Sequence, residues 1–166
     1  MPILVEAFRY NKWANLHLLD VCSKLSDKQL QLTSPGSYGT IAATWQHLVG
    51  AERRYLWRLG GDVGRLTVRH KFPGMAALRQ EATISGDQLI AVARRAKSSA
   101  TVDSKWKEGT LRVSVGVLLT QALHHGNDHR THICTILGHH GIPYGDMDAW
   151  AYGEATGGIV PLRTKA

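Results

Sequence analysis

The 166-residue chain has two cysteines, Cys22 and Cys134, five prolines, and no run of 18 or more uncharged apolar residues. Each shortage excludes something. The two cysteines are far apart and form neither a metal-type nor a redox-type pair, so disulfides are not expected and a reducing cytoplasm suits the chain. Without a long apolar run, no membrane-spanning helix is expected. The start, "MPILVEAFRYNKWAN", carries charges where a secretory signal would have an apolar core, so export is not expected either. Acidic residues are in the minority: 13 Asp and Glu against 20 Lys and Arg give a net charge of +7. Such a charge attracts acidic partners at long range. The basic residues nevertheless occur in short groups, "ERR", "RR" and "KWK", without the dense stripe or aromatic interleaving of a nucleic-acid surface. A solvated basic face is the expectation, and nucleic acid is not an expected partner.

What is present is helical periodicity. Ile3, Ala7, Tyr10, Ala14, Val21 and Leu25 recur at helical spacing and predict a first helix over about 2–25, with Pro2 in its first turn and Ser26-Asp27 opening the next segment. After the breaker-rich loop "TSPGSYGT", Thr40 is a suitable N-cap for a second helix over 41–59, closed by Gly60-Gly61. A third helix is expected from Pro73-Gly74 to about Ser98. The segment "TVDSKWKEGTLRVSV" permits a short hairpin or an ordered loop. A fourth helix is expected over 114–140, stopped by Gly141 and Pro143, and the tail from Tyr144 reads as irregular, with Trp150 and Tyr152 available to pack on the helices. Residues 1–166 fit one domain, and four amphipathic helices with little strand predict an all-α bundle.

Histidine is concentrated in "QALHHGNDHRTHI", which holds four of the nine histidines. At about 100° per residue, His125, His129 and His132 share one helix face, while His124 points about 100° away. Two imidazoles one turn apart can converge on a divalent ion, and a helix bundle builds such sites from facing helices. On the second helix, His47 beside Leu48 reaches the edge of the buried face and makes a third imidazole available. Glu52 falls on the face of Leu48 and Tyr55, where an unpaired carboxylate is costly. It reads either as a partner behind the ligands or proton acceptor, or as half of an ion pair with Arg53 or Arg9. Asn11 and Asn15, one turn apart, are expected to form buried hydrogen bonds between helices. Cys134 lies roughly opposite His125 and is read as a packing residue, and His139-His140 as a helix end.

Three elements, in order, resemble the DinB/YfiT-like family: "YNKWAN" at 10–15, "HLVGAE" at 47–52 and "HHGNDHRTHI" at 124–133, with "GIPYGDMDAW" after them. The resemblance covers nearly the full chain. It implies an up-down-down-up four-helix bundle, commonly dimeric, with a three-histidine site for a divalent ion on His47, His125 and His129. Where the family carries Gly-Gln after its "HR", this chain has Thr131-His132. His132 is therefore a replacement polar group, a partner behind the ligands, or an alternative ligand. The better understood members are thiol-dependent transferases or isomerases using small cellular thiols.

Three neutral imidazoles leave a coordination position open, which is the pattern of a catalytic ion and not of a closed structural one. Zinc and nickel suit imidazole, with iron and manganese compatible. The expected function is a metal-dependent thiol transferase acting on a small molecule, as a homodimer, with Glu52 as the candidate catalytic carboxylate. The alternatives are a metal-dependent hydrolase and a noncatalytic metal-binding or nucleic-acid-binding protein of stress responses.

Overall fold

In a computed structural model that describes residues 3–61, 63, 71–107 and 109–162, the four expected helices are present. They are α1 (Ile3–Cys22), α3 (Ile41–Arg58), α4 (Met75–Arg95) and α5 (Val115–His139), with a short α2 (Asp27–Leu30) after the first. Pro2, at the expected start of α1, lies outside the described residues. α1 ends three residues before the expected Leu25, because Ser23, Lys24 and Leu25 turn back on the carbonyls of Leu19, Val21 and Cys22. Ser26 and Gln29 then form a reciprocal capping box that starts α2. Thr40 caps α3 as expected, accepting from the Ala43 amide at 3.1 Å. Gly60 ends α3 with φ 76°, a conformation that costs other residues Cβ strain. α4 stops at Arg95 and not at Ser98, because Ala96 is extended.

Residues 101–114 form a hairpin, β1 (Thr101–Trp106) antiparallel to β2 (Gly109–Ser114), in register from Thr101 opposite Ser114 to Trp106 opposite Gly109. Of the two forms its sequence permits, the hairpin is realised; Glu108, between the strands, lies outside the described residues. The tail corrects the expectation of irregular chain. Ala149–Thr156 is a helix, α6, capped by Asp148, which accepts from the Ala151 amide at 2.8 Å, and ended by left-handed Gly157. Tyr152 docks it: its ring meets Tyr10 and Trp13 edge-on and its hydroxyl donates to Glu6 at 2.5 Å. Trp150, by contrast, is 73% exposed and does not pack.

Residue pairs between helices fix the topology. Lys12 meets Asp87 while Asp20 meets Arg79, so α1 and α4 run antiparallel. Glu52 meets Ser85 and Arg53 meets Glu81, and Leu56 packs in one cluster with Leu89 while Trp45 packs with Leu78, so α3 and α4 run parallel. His47 meets His125 while Tyr55 meets Gln121, so α3 and α5 run antiparallel. The bundle is all-α in its body and up-down-down-up, with α1 diagonal to α3 and α4 diagonal to α5.

The core is divided. One apolar cluster holds Leu18, Ile41, Trp45, Leu48, Leu78, Ile133 and Ile136; the other holds Val5, Phe8, Leu56, Leu89, Val115 and Leu119. Between them lie Asn11, Asn15, Glu52, Ser85 and Arg130, all buried. Glu52 Oε1 accepts from Asn11 Nδ2 at 3.0 Å and Asn15 Nδ2 at 2.9 Å, and Oε2 accepts from Ser85 Oγ at 2.5 Å. Arg130 Nη1 donates to both asparagine Oδ1 atoms at 2.7 Å. Two amides thus bridge a carboxylate and a guanidinium, with every helix of the bundle contributing. Gly126 makes room for this layer, since a Cβ there would lie 2.6 Å from Asn11 Oδ1.

Candidate metal centre

Helix α5 presents His125 and His129 one turn apart, and α3, crossing beside it, presents His47. Their ligand atoms all lie within 4.8 Å of one another. His47 Nε2 and His125 Nε2 face each other at 3.0 Å, and the ring centroids of His47 and His129 are 4.7 Å apart. Two nitrogens bound tetrahedrally at about 2.05 Å from one ion lie about 3.3 Å apart, so this spacing is of the size a shared zinc-like ion requires. All three sequence-expected ligands are brought together. His129 is 5% exposed, and the other two are half-buried.

The electrostatics favour neutral imidazole, the ligating form. Burial pushes His125 down to about 4, helped by repulsion from His129, His47 and Arg54 and opposed by Asp128. Burial likewise pushes His129 to about 4, with His47 and His132 adding to it. His47 is lowered by burial and by Arg54. No cysteine joins the group. Cys134 lines a cleft of about 310 Å³ with Tyr10, Arg130 and Tyr144, and burial raises its thiol to about 11. The donor set, three neutral nitrogens without thiolate or carboxylate, fits a divalent cation of intermediate softness.

Two ligands are oriented from behind. Tyr38, in the loop before α3, is hydrogen-bonded to His47 Nδ1 at 2.8 Å and stacks its ring 4.3 Å from that imidazole and 4.8 Å from His129. When Nδ1 carries the proton of this bond, the Nε2 lone pair is left for an ion. Sequence reasoning missed Tyr38; the only signal was its place in a turn-rich loop before the His47 helix. His132 Nδ1 lies 3.3 Å from His129 Nδ1, behind it, and with Asp128 forms a second close group that shares His129. His125 has no such support behind it: its buried Nδ1 has no hydrogen-bond partner among the described residues, and its ring packs against Tyr55 and His129.

Glu52 is not brought into the histidine group. It is 1% exposed, and its hydrogen bonds go to Asn11, Asn15 and Ser85. Burial raises its carboxyl, against the Ser85 and Asn11 bonds, the Arg130 charge and the Asn15 bond. The ion pair with Arg53 or Arg9 is not formed: Arg53 pairs with Glu81, Arg9 with Glu6, and the cation facing Glu52 is Arg130. Asn11 and Asn15 make the buried bonds expected of them. His140, at the end of α5, bonds the Thr33 carbonyl at 3.0 Å, away from the site.

No curated protein sequence matches the chain. A DinB-like protein from Bacillus cereus ATCC 10987, whose crystal structure is known, shares the fold with a TM-score of 0.67 over 86% of this chain and 94% of that one, at 17% identity. The family model described as the DinB family matches residues 1–163. With a helical bundle and a three-histidine cluster of this kind, the chain belongs to the DinB family.

Proposed function

We propose that the protein is a metal-dependent enzyme of thiol-transferase type, with His47, His125 and His129 holding a divalent cation, zinc or nickel, and a small thiol as substrate. The observation that carries this reading is the convergence of three imidazoles from two helices, with His47 and His125 nitrogens 3.0 Å apart and no fourth ligand in the group among the described residues. When bound, such a cation lowers the pKa of a coordinated thiol and favours its nucleophilic thiolate. The protein's part is to hold three neutral donors, to orient the His47 ring through Tyr38, and to keep other nucleophiles away. Both of its own thiols are held protonated by burial, Cys22 at about 12 and Cys134 at about 11. A nucleophile therefore has to arrive with the substrate. Glu52 supports the site from the buried layer, through Arg130, which adjoins His129 in the chain. A homodimer belongs to the same proposal, supported by exposed Trp57 at the end of α3, Trp106 and Leu111 on the hairpin, and Val117 at the start of α5.

The test is metal content combined with cobalt spectroscopy. His47→Ala and His129→Ala are expected to abolish stoichiometric metal uptake, and titration of the cobalt protein with small thiols is expected to produce a sulfur-to-metal charge-transfer band. Retained metal in both variants would refute the ligand set. No band with any thiol, alongside metal-dependent hydrolysis, would replace the transferase with a hydrolase.

A further inference from the structure

Past the middle of α3 stand three arginines, and two have partners of their own. Arg53 donates to the Val63 carbonyl at 2.8 Å and pairs with Glu81 at 3.7 Å. Arg58 lies 3.9 Å over the Trp106 ring and donates to Ser104 Oγ and to the Lys105 carbonyl. Arg54 differs: among the described residues it has neither an ion pair nor a hydrogen-bond partner. It follows His47 by seven positions, which puts the two within about 20° on one helix face and two turns apart. Helical side chains lean toward the N-terminus, here toward His47. The guanidinium does fold that way, over Gly50, where an added Cβ would lie 3.4 Å from Arg54 Nη1. Its charge reaches the site, being one of the causes that hold His47 and His125 below their ordinary range.

We propose that Arg54 is the substrate-anion residue of the histidine site, and that the substrate carries a carboxylate that pairs with its guanidinium while the reacting atom takes the open position on the cation. This rests on the metal-site reading and names the substrate class. Three neutral imidazoles cancel none of the ion's charge, and Arg54 adds a second cation on the same side of α3. The nearby countercharge, Asp128, is exposed and acts on His125 and His129 from α5. A neutral substrate satisfies one cation; a carboxylate-bearing one satisfies both, and the planar arginine fork matches a carboxylate in two hydrogen bonds.

The experiment uses cobalt-loaded full-length protein, native and Arg54→Gln, titrated with mercaptoacetate, 2-mercaptoethanol, acetate and acetamide while the visible spectrum is followed. Arg54→Gln is expected to keep its cobalt, to lose roughly five- to tenfold affinity for mercaptoacetate, and to lose none for 2-mercaptoethanol. Direct chelation by mercaptoacetate is common to both proteins, so the change between them isolates the guanidinium. Arg54→Lys, which keeps charge without the fork, is expected to fall between. Equal losses for charged and neutral ligands, or no loss, would overturn the proposal, as would failure of the native protein to take up cobalt. If neither thiol gives a sulfur band, the thiol-transferase reading fails separately. The advantage of acetate over acetamide, lost in Arg54→Gln, would still support the anion site, and its persistence would end it.

Discussion

At the scale of the residue, the orientation of each imidazole decides what it can do. His47 and His129 each have one nitrogen engaged, by Tyr38 and His132, and present the other. Partners of this kind fix tautomer and ring angle, and their loss lowers metal affinity about 10- to 100-fold without removing a ligand. His132→Ala is therefore expected to bind metal with an affinity reduced by that order, and Tyr38→Phe to do the same. Competition with a chromophoric chelator measures both. Complete loss of metal in His132→Ala would instead make it a ligand, and unchanged affinity would make it surface decoration. The "HR" motif and the i, i+4 spacing made His125 and His129 legible. Tyr38 was not, because it reaches the site through a loop whose path the sequence pattern does not specify.

At the scale of the element, the polar layer explains why four helices with interrupted apolar faces pack in one arrangement. Asn11, Asn15, Glu52, Ser85 and Arg130 can satisfy one another in one register only, since sliding any helix by a turn would leave a buried charge without its partner. Breaking a buried charge network from one side costs about 3–5 kcal/mol, because the other charge stays buried. Glu52→Ala is expected to destabilise by that order, measured by urea unfolding of the metal-free protein. Gly126→Ala tests the layer without removing a charge. Its Cβ would lie 2.6 Å from Asn11 Oδ1 and 3.2 Å from Arg130 Nη1, so a loss of about 1–3 kcal/mol is expected from overpacking. A neutral Gly126→Ala would mean that the layer yields easily. The sequence showed that Glu52 and the asparagines needed partners. Of the two readings it left open for Glu52, the ion pair with Arg53 or Arg9 is not used, because only the crossing of α1, α3 and α5 brings Arg130 into range.

At the scale of the whole molecule, a largely desolvated histidine cluster makes folding depend on pH. His125 and His129 titrate near 4 in the folded protein and near 6.5 in an unfolded chain. Between those values the unfolded chain binds protons that the folded one does not, so the stability of the metal-free protein is expected to fall as pH drops from 6.5 to 4, and this contribution to flatten below. Urea midpoints at several pH values check it. An undiminished slope in a His125→Gln/His129→Gln variant would assign the effect elsewhere. Assembly belongs to this scale too: sedimentation at micromolar concentration is expected to show a dimer, and a monomer alone would refute that part of the proposal. Among the described residues no helix is long and apolar enough to cross a membrane, as the lack of long apolar runs led one to expect.

By itself the sequence determined where the long helices lie and which histidines share a face, because both follow from the 3.6-residue period and from caps such as Thr40 and Gly60 that act within a few residues. Even α6 had its local signals in Asp148 and Gly157, though a weak apolar stripe hid it. Only the tertiary structure decided how Glu52 is neutralised, that Tyr38 and His132 stand behind two of the imidazoles, and that Arg54, unlike Arg53 and Arg58 on the same helix, has no hydrogen-bond or ion-pair partner among the described residues. Those are contacts between residues distant in the chain. They depend on helix crossing and side-chain direction, which local periodicity constrains but does not fix.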